Sequence, residues 1–399
     1  MTLPLAFERD PYLREMATEV VSTGADGGRP WAVLADTVCY PEGGGQPADH
    51  GRLGDVEIVD VQRVKGEIRH YLNATIAAGP AMLHLDWERR FDHMQQHTGQ
   101  HLLTAIAQDR FGWPTTAFHL GDDLSDVELG VAKLNQPQLD VLEDAVNAQV
   151  RAARPVTPRR VSHEEYAALP VRTRGLPAGH TGDVRLVEIA GVDLNTCGGT
   201  HLRSTAEIGC VKLLGTEAMR GGTRVFFIAG GRVLRRLGRH EQRNAVLRQL
   251  LGAPDTELPE VLRAKLDALH QLEKRLRAAE DELAAATAAV LSAAQDTLVE
   301  AHFDGRDIQF LQRLGREIAA AAPGKVALLT AAAGGDACFV LAAGNAVALD
   351  AQAVGREIAT ALGGRGGGSG KLFQGKAGSL ESRAGAVDIV RRALAARER

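Results

Sequence analysis

The pattern of hydrophobic and polar residues changes near residue 86. Before it, β-branched segments such as WAVLADTVCY and GDVEIVDVQRV alternate with turn residues, which predicts strands over residues 1–85. The stretch PEGGGQPADHG between them contains too much glycine for the interior of a strand or helix. It is either a plain surface loop or a loop whose backbone approaches a ligand closely.

From Asp86 the pattern becomes helical. The segment DWERRFDHMQQHTGQHLLTAIAQDRFG places apolar residues at helical spacing until Gly112 and Pro114 end it, and Asp92 is a candidate N-cap. A second, polar-faced helix is predicted over residues 136–153. Strands are predicted on both sides of that helix, in TTAFHLGDDLSDVELGV and in GDVRLVEIAGVDLNTCGGTHLRSTAEIGCVKLLGTEAMRGGTRVFFIAG.

Residues 232–294 read as helix, broken once by GAPDTELPE. An apolar residue recurs every seven positions, the signature of a coiled-coil seam, at Leu262, Leu269, Leu276, Leu283 and Val290. We expect this helix and the preceding one to fold as an antiparallel hairpin. The seam, or the domain that follows it, could also join two chains into a homodimer.

The last hundred residues predict a small α/β unit. KVALLTAAA and ACFVLAAGNAV have the composition of buried strands, a helix ends in GGRGGGSGKLFQGKAG, and SLESRAGAVDIVRRALAARER predicts a closing helix. The fold class expected for the whole chain is therefore α+β.

Composition narrows the functional classes. The 399 residues suggest two to four domains, and a net charge of -4 does not by itself indicate a nucleic-acid-binding protein. The four cysteines are widely scattered, the first residues lack the apolar core of a secretion signal, and no run of 18 apolar residues occurs. We expect a cytoplasmic protein with no membrane segment, in which a cysteine beside histidines is a ligand or catalytic group.

Two spaced motifs could hold a metal ion. His93, His97 and His101 stand four residues apart, so either neighbouring pair shares a helix face, but all three cannot comfortably serve one tetrahedral ion. Cys197 and His201 are also four apart, in CGGTH. One histidine pair together with this Cys–His pair gives three nitrogens and one sulfur, which suits zinc. Four bound ligands would favour a structural ion, and catalysis would require a looser ligand, for which His201 is the candidate.

These motifs, in this order, resemble a known family. HTGQHLL followed about a hundred residues later by CGGTH resembles the editing domain of alanyl-tRNA synthetases, and more closely the freestanding AlaX-type alanyl-tRNA editing proteins. YPEGGGQPADHG, GDVRLVEIAGVDLNTCGGTH and STAEIGCVKL fit the same family, and GGRGGGSGKLFQGKAG is similar to the DHHA1-type C-terminal domain. The resemblance implies one zinc ion on His97, His101, Cys197 and His201. His93 falls outside the pattern and would pack or contact the tRNA end.

The resemblance also implies a domain plan and an activity. The plan is a β-rich N-terminal subdomain (1–85), a zinc-containing editing core (86–230), a helical hairpin or coiled coil (231–298) and a DHHA1-like tRNA-binding domain (299–399). The activity is hydrolysis of mischarged alanine tRNA that carries serine, with glycine as an open second substrate. No aminoacylation domain fits in the chain, so hydrolysis without ATP-driven synthesis is expected.

The chemistry requires groups around the ion. Zinc could activate a water or hold the substrate, and no covalent nucleophile set is evident. Asp193 could orient a ligand or the substrate amine. Reading a serine hydroxyl needs a polar partner, for which the candidates are Thr98, Thr115, Thr116 and His119. The loop residues expected to close over the substrate are Gln46, Gly43, Gly44 and Gly45.

Contact with tRNA requires basic residues. RGGTRVFFIAGGRVLRRLGRHEQR and RAARPVTPRRV are densely basic, and Arg235 and Arg236 lie in the first. GGRGGGSGK fails the spacing of a P-loop, so Arg365, Lys371 and Lys376 are expected to meet tRNA backbone rather than ATP. Two alternatives stay open: a deacylase of another charged tRNA, such as one in the threonyl system, and a non-catalytic tRNA-binding module with a structural zinc.

Overall fold

The computed structural model describes residues 4–173, 175–176 and 182–396. The chain forms two compact units, Met1–Val246 and Leu247–Arg399. Both units mix helices with sheets, so the expected α+β fold class is confirmed. Among the described residues, no helix is both long and apolar enough to span a membrane.

The first unit begins with a short helix, α1 (Ala6–Arg9), and a closed six-stranded barrel. Neighbours around the barrel are antiparallel, in the order β1-β2-β5-β4-β3-β6. The strands are β1 (Glu15–Asp26), β2 (Arg29–Leu34), β3 (Gly51–Leu53), β4 (Val56–Val64), β5 (Glu67–Leu72) and β6 (Gly79–Leu85). Buried aliphatic side chains such as Leu53, Ile58 and Leu83 fill its core.

The long helix α2 (Trp87–Phe111) follows the barrel directly. Asp86 is its N-cap, because the Asp86 carboxylate accepts a hydrogen bond from Arg89 N at 3.1 Å, and Gly112 ends it with a φ of 69°. The expected cap at Asp92 was therefore wrong. Asp92 lies one and a half turns inside the helix, where its carboxylate pairs with the buried Arg232 at 2.6 Å.

Two sheets and further helices complete the first unit around α2. One sheet has the order β12-β13-β8-β7 and the other the order β11-β10-β9, both antiparallel. The elements are β7 (Thr115–Leu120), β8 (Ser125–Leu129), α3 (Gln136–Arg151), β9 (Val156–Val161), α4 (His163–Ala168), β10 (Val184–Ile189), β11 (Asp193–Thr196), β12 (Val211–Met219), β13 (Gly222–Ala229) and α5 (Gly231–Leu251). One core joins α2 and α3 to both sheets, through residues such as Met94, Leu142, Val187 and Phe227.

A buried ion pair ties α2 to the loop between β2 and β3. Arg90 and Asp49 both have no exposed side-chain surface, and Arg90 Nε donates to the two carboxylate oxygens at 3.2 and 3.0 Å. Arg90 also donates to the carbonyls of Pro11 at 2.8 Å and Val38 at 2.5 Å. Asp49 in turn accepts from Tyr40 N at 2.6 Å, so nearly every polar atom of the pair is satisfied.

The second unit begins with the end of α5 and a 35-residue helix, α6 (Leu258–Ser292). Its seam residues stay largely exposed, from 40% at Leu283 to 75% at Val290. The C-terminal part of α6 is anchored where Ala284 and Ala288 pack into the core of this unit with Phe310. Leu258, at the start of the helix, is also buried.

The remaining sheet has the order β14-β15-β16-β18-β17. β14 runs parallel to β15 and the other neighbours are antiparallel. The elements are β14 (Leu298–Asp304), α7 (Ile308–Ala321), β15 (Val326–Ala333), β16 (Asp336–Ala343), α8 (Ala351–Ala361), β17 (Arg365–Ser369), β18 (Leu372–Ala377) and α9 (Arg383–Ala395). The last three residues of the expected closing helix lie outside the described residues.

The glycine-rich C-terminal segment forms a β-hairpin, β17–β18, and not merely a loop after a helix. A side chain at Gly366 would place its Cβ 2.2 Å from the carbonyl oxygen of Gln374 on the neighbouring strand. The glycines therefore permit a close approach between two backbones.

Removing one partner of the buried pair should destabilise the first unit strongly. Asp49→Asn leaves Arg90 buried without a counter-charge, and we expect a loss of about 3–5 kcal/mol in the free energy of unfolding. Urea unfolding followed by tryptophan fluorescence measures this unit alone, since Trp31, Trp87 and Trp113 all belong to it.

The control is Glu15→Gln, which removes a pair with His84 whose side chains are 68% and 50% exposed. That change should cost less than about 1 kcal/mol. An Asp49→Asn loss as small as that of the control would contradict the role given to the buried pair.

Candidate metal centre and adjoining cavity

Four side chains converge from two segments that are about a hundred residues apart in the chain. His97 and His101 lie on one face of α2, and Cys197 and His201 lie in the loop after β11. One potential ligand atom from each of the four lies within 4.8 Å of all the others. The three histidines are buried and Cys197 is partly buried, so the cluster is shielded from bulk solvent.

A glycine in the second motif makes this convergence possible. A Cβ at Gly199 would lie 2.3 Å from Cε1 of His97, a distance that no side chain tolerates. The spacing CGGTH therefore lets the loop backbone pass directly over the His97 ring.

The distances within the cluster suit a tetrahedral ion. Cys197 Sγ lies 3.4 Å from His97 Nε2 and 3.2 Å from His201 Nε2. Zinc bonds to nitrogen at about 2.0–2.1 Å and to sulfur at about 2.3 Å, which implies a sulfur–nitrogen separation of about 3.5 Å in a tetrahedron. Three imidazole nitrogens and one thiolate are also a donor set typical of zinc.

The other ring nitrogen of each histidine has its own partner. His97 Nδ1 lies 2.9 Å from Oε1 of Gln46, His101 Nδ1 lies 3.0 Å from Oδ2 of Asp193, and His201 Nδ1 lies 3.2 Å from Oγ1 of Thr98. Acceptors at Nδ1 place the proton there and leave the Nε2 lone pair free for a metal. Gln46, Asp193 and Thr98 thus contact the imidazoles on the side away from the candidate metal position.

A further layer of contacts holds these partners. Oε1 of Gln46 accepts from Thr200 N at 3.0 Å, and Nε2 of Gln46 donates to Thr200 Oγ1 at 2.9 Å. Arg172 Nε donates to Asp193 Oδ1 at 2.9 Å. Arg185 donates to the carbonyls of Cys197 and Gly199 at 2.7 and 2.9 Å, which fixes the loop.

The electrostatics favour a thiolate. Burial alone raises the pKa of the Cys197 thiol, but the charges of His97 and His201 and the hydrogen bonds from His101 and His201 outweigh it and hold that pKa well below its ordinary value. Burial and the neighbouring His97 lower the pKa of His201 to about 3. Burial also lowers the pKa of His101, yet Asp193 and Cys197 together raise it to about 10.

His93 does not join the cluster. Its ring is buried, with Nε2 3.8 Å from Oδ1 of Asp122, and its Nδ1 has no hydrogen-bond partner among the described residues. Burial and the charge of Arg89 lower the pKa of His93 to about 4. Of the three evenly spaced histidines, the fold brings only His97 and His101 to the Cys–His loop.

A cavity of about 630 Å³ adjoins the cluster, and His97, His101 and Cys197 form part of its wall. Two of the residues expected around the substrate, Thr115 and Gly44, also line it. Thr115 Oγ1 is buried, and no described residue forms a hydrogen bond with it. The cluster is thus open on one side to a space of small-molecule size.

The other expected residues lie elsewhere. Gln46, Thr98 and Asp193 are buried behind the histidines, as described above. Thr116 Oγ1 donates to the carbonyl of Glu128 at 3.3 Å, and the ring of His119 is directed to Asp126 at 3.0 Å.

The glycine-rich loop is a tight turn. Gly43 and Gln46 exchange backbone hydrogen bonds at 3.1 and 3.0 Å, and Gly44 and Gly45 between them take φ values of 57° and 85°. Both conformations favour glycine. A Cβ at Gly45 would lie 2.6 Å from the ring of Phe118, which also lines the cavity, so the turn closes against the cavity wall.

Residue patterns alone missed part of the wall. Gln100 and Thr104 line the cavity from the face of α2 that carries His97 and His101. Arg172, and Arg185 of β10, also line the cavity. The available signal was the helical spacing of polar residues, since positions 97, 100, 101 and 104 share one face. No sequence pattern singled out the two arginines.

The basic residues expected to meet tRNA vary in their availability. Arg236 is exposed, and Arg235 is 63% exposed although it also pairs with Asp92. In the second unit, Arg365 and Lys376 line a shallow cleft, whereas Lys371 Nζ donates to the carbonyl of Val347 at 2.5 Å.

Parts of this sequence match known proteins. Residues 184–225, which include Cys197 and His201, match the family described as the threonyl and alanyl tRNA synthetase second additional domain. The chain also resembles the alanine–tRNA ligase of Ignicoccus hospitalis, with 30% identity over 380 residues that cover 91% of this chain and 40% of the ligase.

Proteins named alanyl-tRNA editing proteins match this chain over a larger share of their own length than the ligase does. The chain is 36% identical over 400 residues to the alanyl-tRNA editing protein Aarsd1 of Mus musculus, and the match covers 96% of each protein. It is 34% identical over 262 residues to the alanyl-tRNA editing protein AlaX-L of Pyrococcus horikoshii, covering 62% of each. The chain belongs to the alanyl-tRNA editing protein family, which confirms the resemblance inferred from its motifs.

Zinc binding to the cluster should release about one proton near neutral pH. The pKa of His101 is raised and that of Cys197 is lowered, so without metal this pair holds one proton, on the His101 ring, and metal binding displaces it. The apparent affinity should accordingly rise about tenfold per pH unit between about pH 6 and 9. Calorimetric titration at pH 7, in buffers of different ionisation enthalpy, measures the proton release.

The variant Asp193→Asn is the control for this assignment. It removes the carboxylate that raises the pKa of His101, so the release should fall below one proton, and zinc affinity should fall about 10–100-fold. Release of about two protons by the unaltered chain would contradict the thiolate at Cys197.

Proposed function

We propose that this protein hydrolyses the aminoacyl ester of alanine tRNA mischarged with serine, and with lower efficiency glycine, acting in trans. The observation that carries the proposal is the His97, His101, Cys197 and His201 cluster, three of whose members line a cavity of small-molecule size. The relatives across nearly the full length of the chain are named alanyl-tRNA editing proteins, which supports the substrate class.

One zinc ion on the four side chains fits the donor set and the distances described above. When bound, such an ion supplies Lewis-acid chemistry, by polarising an ester carbonyl or acidifying a water. The chain's own contribution is rigidity: Gln46, Asp193 and Thr98 hold the three imidazoles in one tautomer and one orientation.

The reaction itself needs only water as co-substrate. The water oxygen bonds to the ester carbonyl carbon, the bond from that carbon to the ribose oxygen breaks, and the ribose oxygen takes up a proton. The cavity would hold the aminoacyl group against the cluster, and the turn at Gly44 would limit the access of bulk water.

Discrimination between serine and alanine requires a partner for the serine hydroxyl. Thr115 is the best placed of the four candidates, because it lines the cavity and its hydroxyl has no partner among the described residues. Thr98, Thr116 and His119 already contact His201, Glu128 and Asp126. A site with a buried hydroxyl that only serine can satisfy rejects alanine.

We also propose that tRNA phosphates meet Arg235 and Arg236 of α5 and Arg365, Lys371 and Lys376 of the hairpin β17–β18. The exposure of Arg236 and the cleft lined by Arg365 and Lys376 support this. Lys371 has the weakest support, since its ammonium group already donates to Val347.

The alternative, a tRNA-binding module with a purely structural zinc, rests on the completeness of the four-ligand set. The cavity argues against it. A structural site is normally enclosed, whereas three of these four ligands line a space of about 630 Å³.

Deacylation assays test the proposal directly. We expect the zinc-loaded chain to release serine from alanine tRNA at least about 100-fold faster than it releases alanine from the same tRNA. Cys197→Ala should lose this activity together with zinc affinity, because it removes the one thiolate of the cluster.

Cys210→Ala is the matched control, since Cys210 is a partly buried cysteine of the same unit outside the cluster. It should retain both activity and zinc. A zinc-loaded, folded chain that releases neither amino acid would overturn the enzymatic proposal and leave the binding module.

A further inference from the structure

Gln100 is a buried polar residue in the wall of the cavity whose role is not yet assigned. It is 3% exposed and lies on α2 between the two ligand histidines of that helix. Its Nε2 donates to Oγ1 of Thr104, one turn further along, at 2.7 Å. Its Oε1 has no hydrogen-bond partner in the part of the chain that the structure describes.

An unpartnered carbonyl in such a place is costly. A buried acceptor without a donor destabilises a protein, so native structures rarely keep one without a reason. In the structure Thr104 Oγ1 accepts a hydrogen of Nε2, and Oε1 is the end of the amide without a partner. Among the described residues, no donor satisfies this acceptor in the cavity wall.

Among the described residues, Oγ1 of Thr115 is a second buried polar atom of this wall without a hydrogen-bond partner. A single hydroxyl group suits this pair, because a hydroxyl donates one hydrogen bond and also accepts. It would donate to Oε1 of Gln100 and accept from the hydroxyl of Thr115. An alkyl group can do neither.

We propose that Gln100 is a specificity-determining residue that accepts the hydrogen bond of the serine side-chain hydroxyl, acting with Thr115. This inference rests on the proposed deacylation of alanine tRNA and deepens it. Alanine would leave both atoms unsatisfied in a filled space. Glycine leaves room for a water molecule that could bridge them, which places glycine between serine and alanine as a substrate.

The test compares serine, glycine and alanine on the same alanine tRNA, with the full, zinc-loaded chain. Gln100→Leu removes the acceptor and replaces the amide side chain with an apolar one of similar size. We expect kcat/KM for serine release to fall about 10–100-fold, the value for glycine to fall by less because only a bridging water is lost, and the value for alanine to change less than about threefold. Zinc content should stay at that of the unaltered chain.

Two further variants separate recognition from structure. Gln136→Leu alters an exposed glutamine of α3 outside the cavity, and it should change none of the three rates. If Gln100→Leu fails to fold or loses zinc, Gln100→Met, which is unbranched and also lacks an acceptor, carries the same expectation.

An equal fall for all three amino acids would overturn the inference, because it would show that Gln100 supports the helix or a feature common to all substrates. Unchanged serine release would also overturn it. Both results leave the proposed function intact as long as the unaltered chain releases serine. Failure of the unaltered chain to release serine would instead remove the proposed function.

Discussion

The arrangement of the site depends on the side chain of Gln46. One buried amide contacts His97 from the helix, and the backbone and hydroxyl of Thr200 from the Cys–His loop. Gln46 itself closes the glycine turn that borders the cavity. Three segments from different parts of the chain are thus joined at one residue with no exposed surface. An imidazole held in this way keeps its lone pair directed at one point, which a metal site requires.

The barrel and the metal helix are joined by a second buried contact. Arg90 of α2 bonds to Asp49, which lies three residues after Gln46 in the same loop. Two contacts therefore hold this loop against the helix that carries two ligands: Gln46 with His97, and Asp49 with Arg90. This explains how a β-rich N-terminal barrel, which contributes no ligand itself, can determine the geometry of the cluster.

Four-residue spacing predicted one histidine pair together with Cys197 and His201, but it left open which pair, and the family resemblance selected His97 and His101. Sequence patterns could not identify the partners of the ligands with equal certainty. Gln46 was expected over the substrate, yet it lies behind His97, since that contact depends on how the loop folds onto the helix. Asp92 was predicted as the helix cap, but the sequence has a second aspartate nearby, Asp86. Because β6 ends at Leu85, the helix begins directly after Asp86, which caps it.

Gln100 shows a different limit. A glutamine inside a polar helical stretch usually faces solvent, and nothing in the local sequence indicates that this one is buried with a free carbonyl. Its significance appears only when the helix face, the strand that carries Thr115 and the loop that carries Cys197 enclose one cavity. Spacing and family resemblance can indicate ligands, whereas the polarity of a cavity wall is a property of the folded chain.

The most direct test of the account is X-ray absorption spectroscopy at the zinc edge on the purified chain. The account predicts about one zinc ion per chain, with one sulfur neighbour at about 2.3 Å and three nitrogen neighbours at about 2.0–2.1 Å. In Cys197→Ala, the sulfur shell should disappear. Absence of bound zinc, or a coordination shell without sulfur in the unaltered chain, would contradict the central claim that His97, His101, Cys197 and His201 form one metal site.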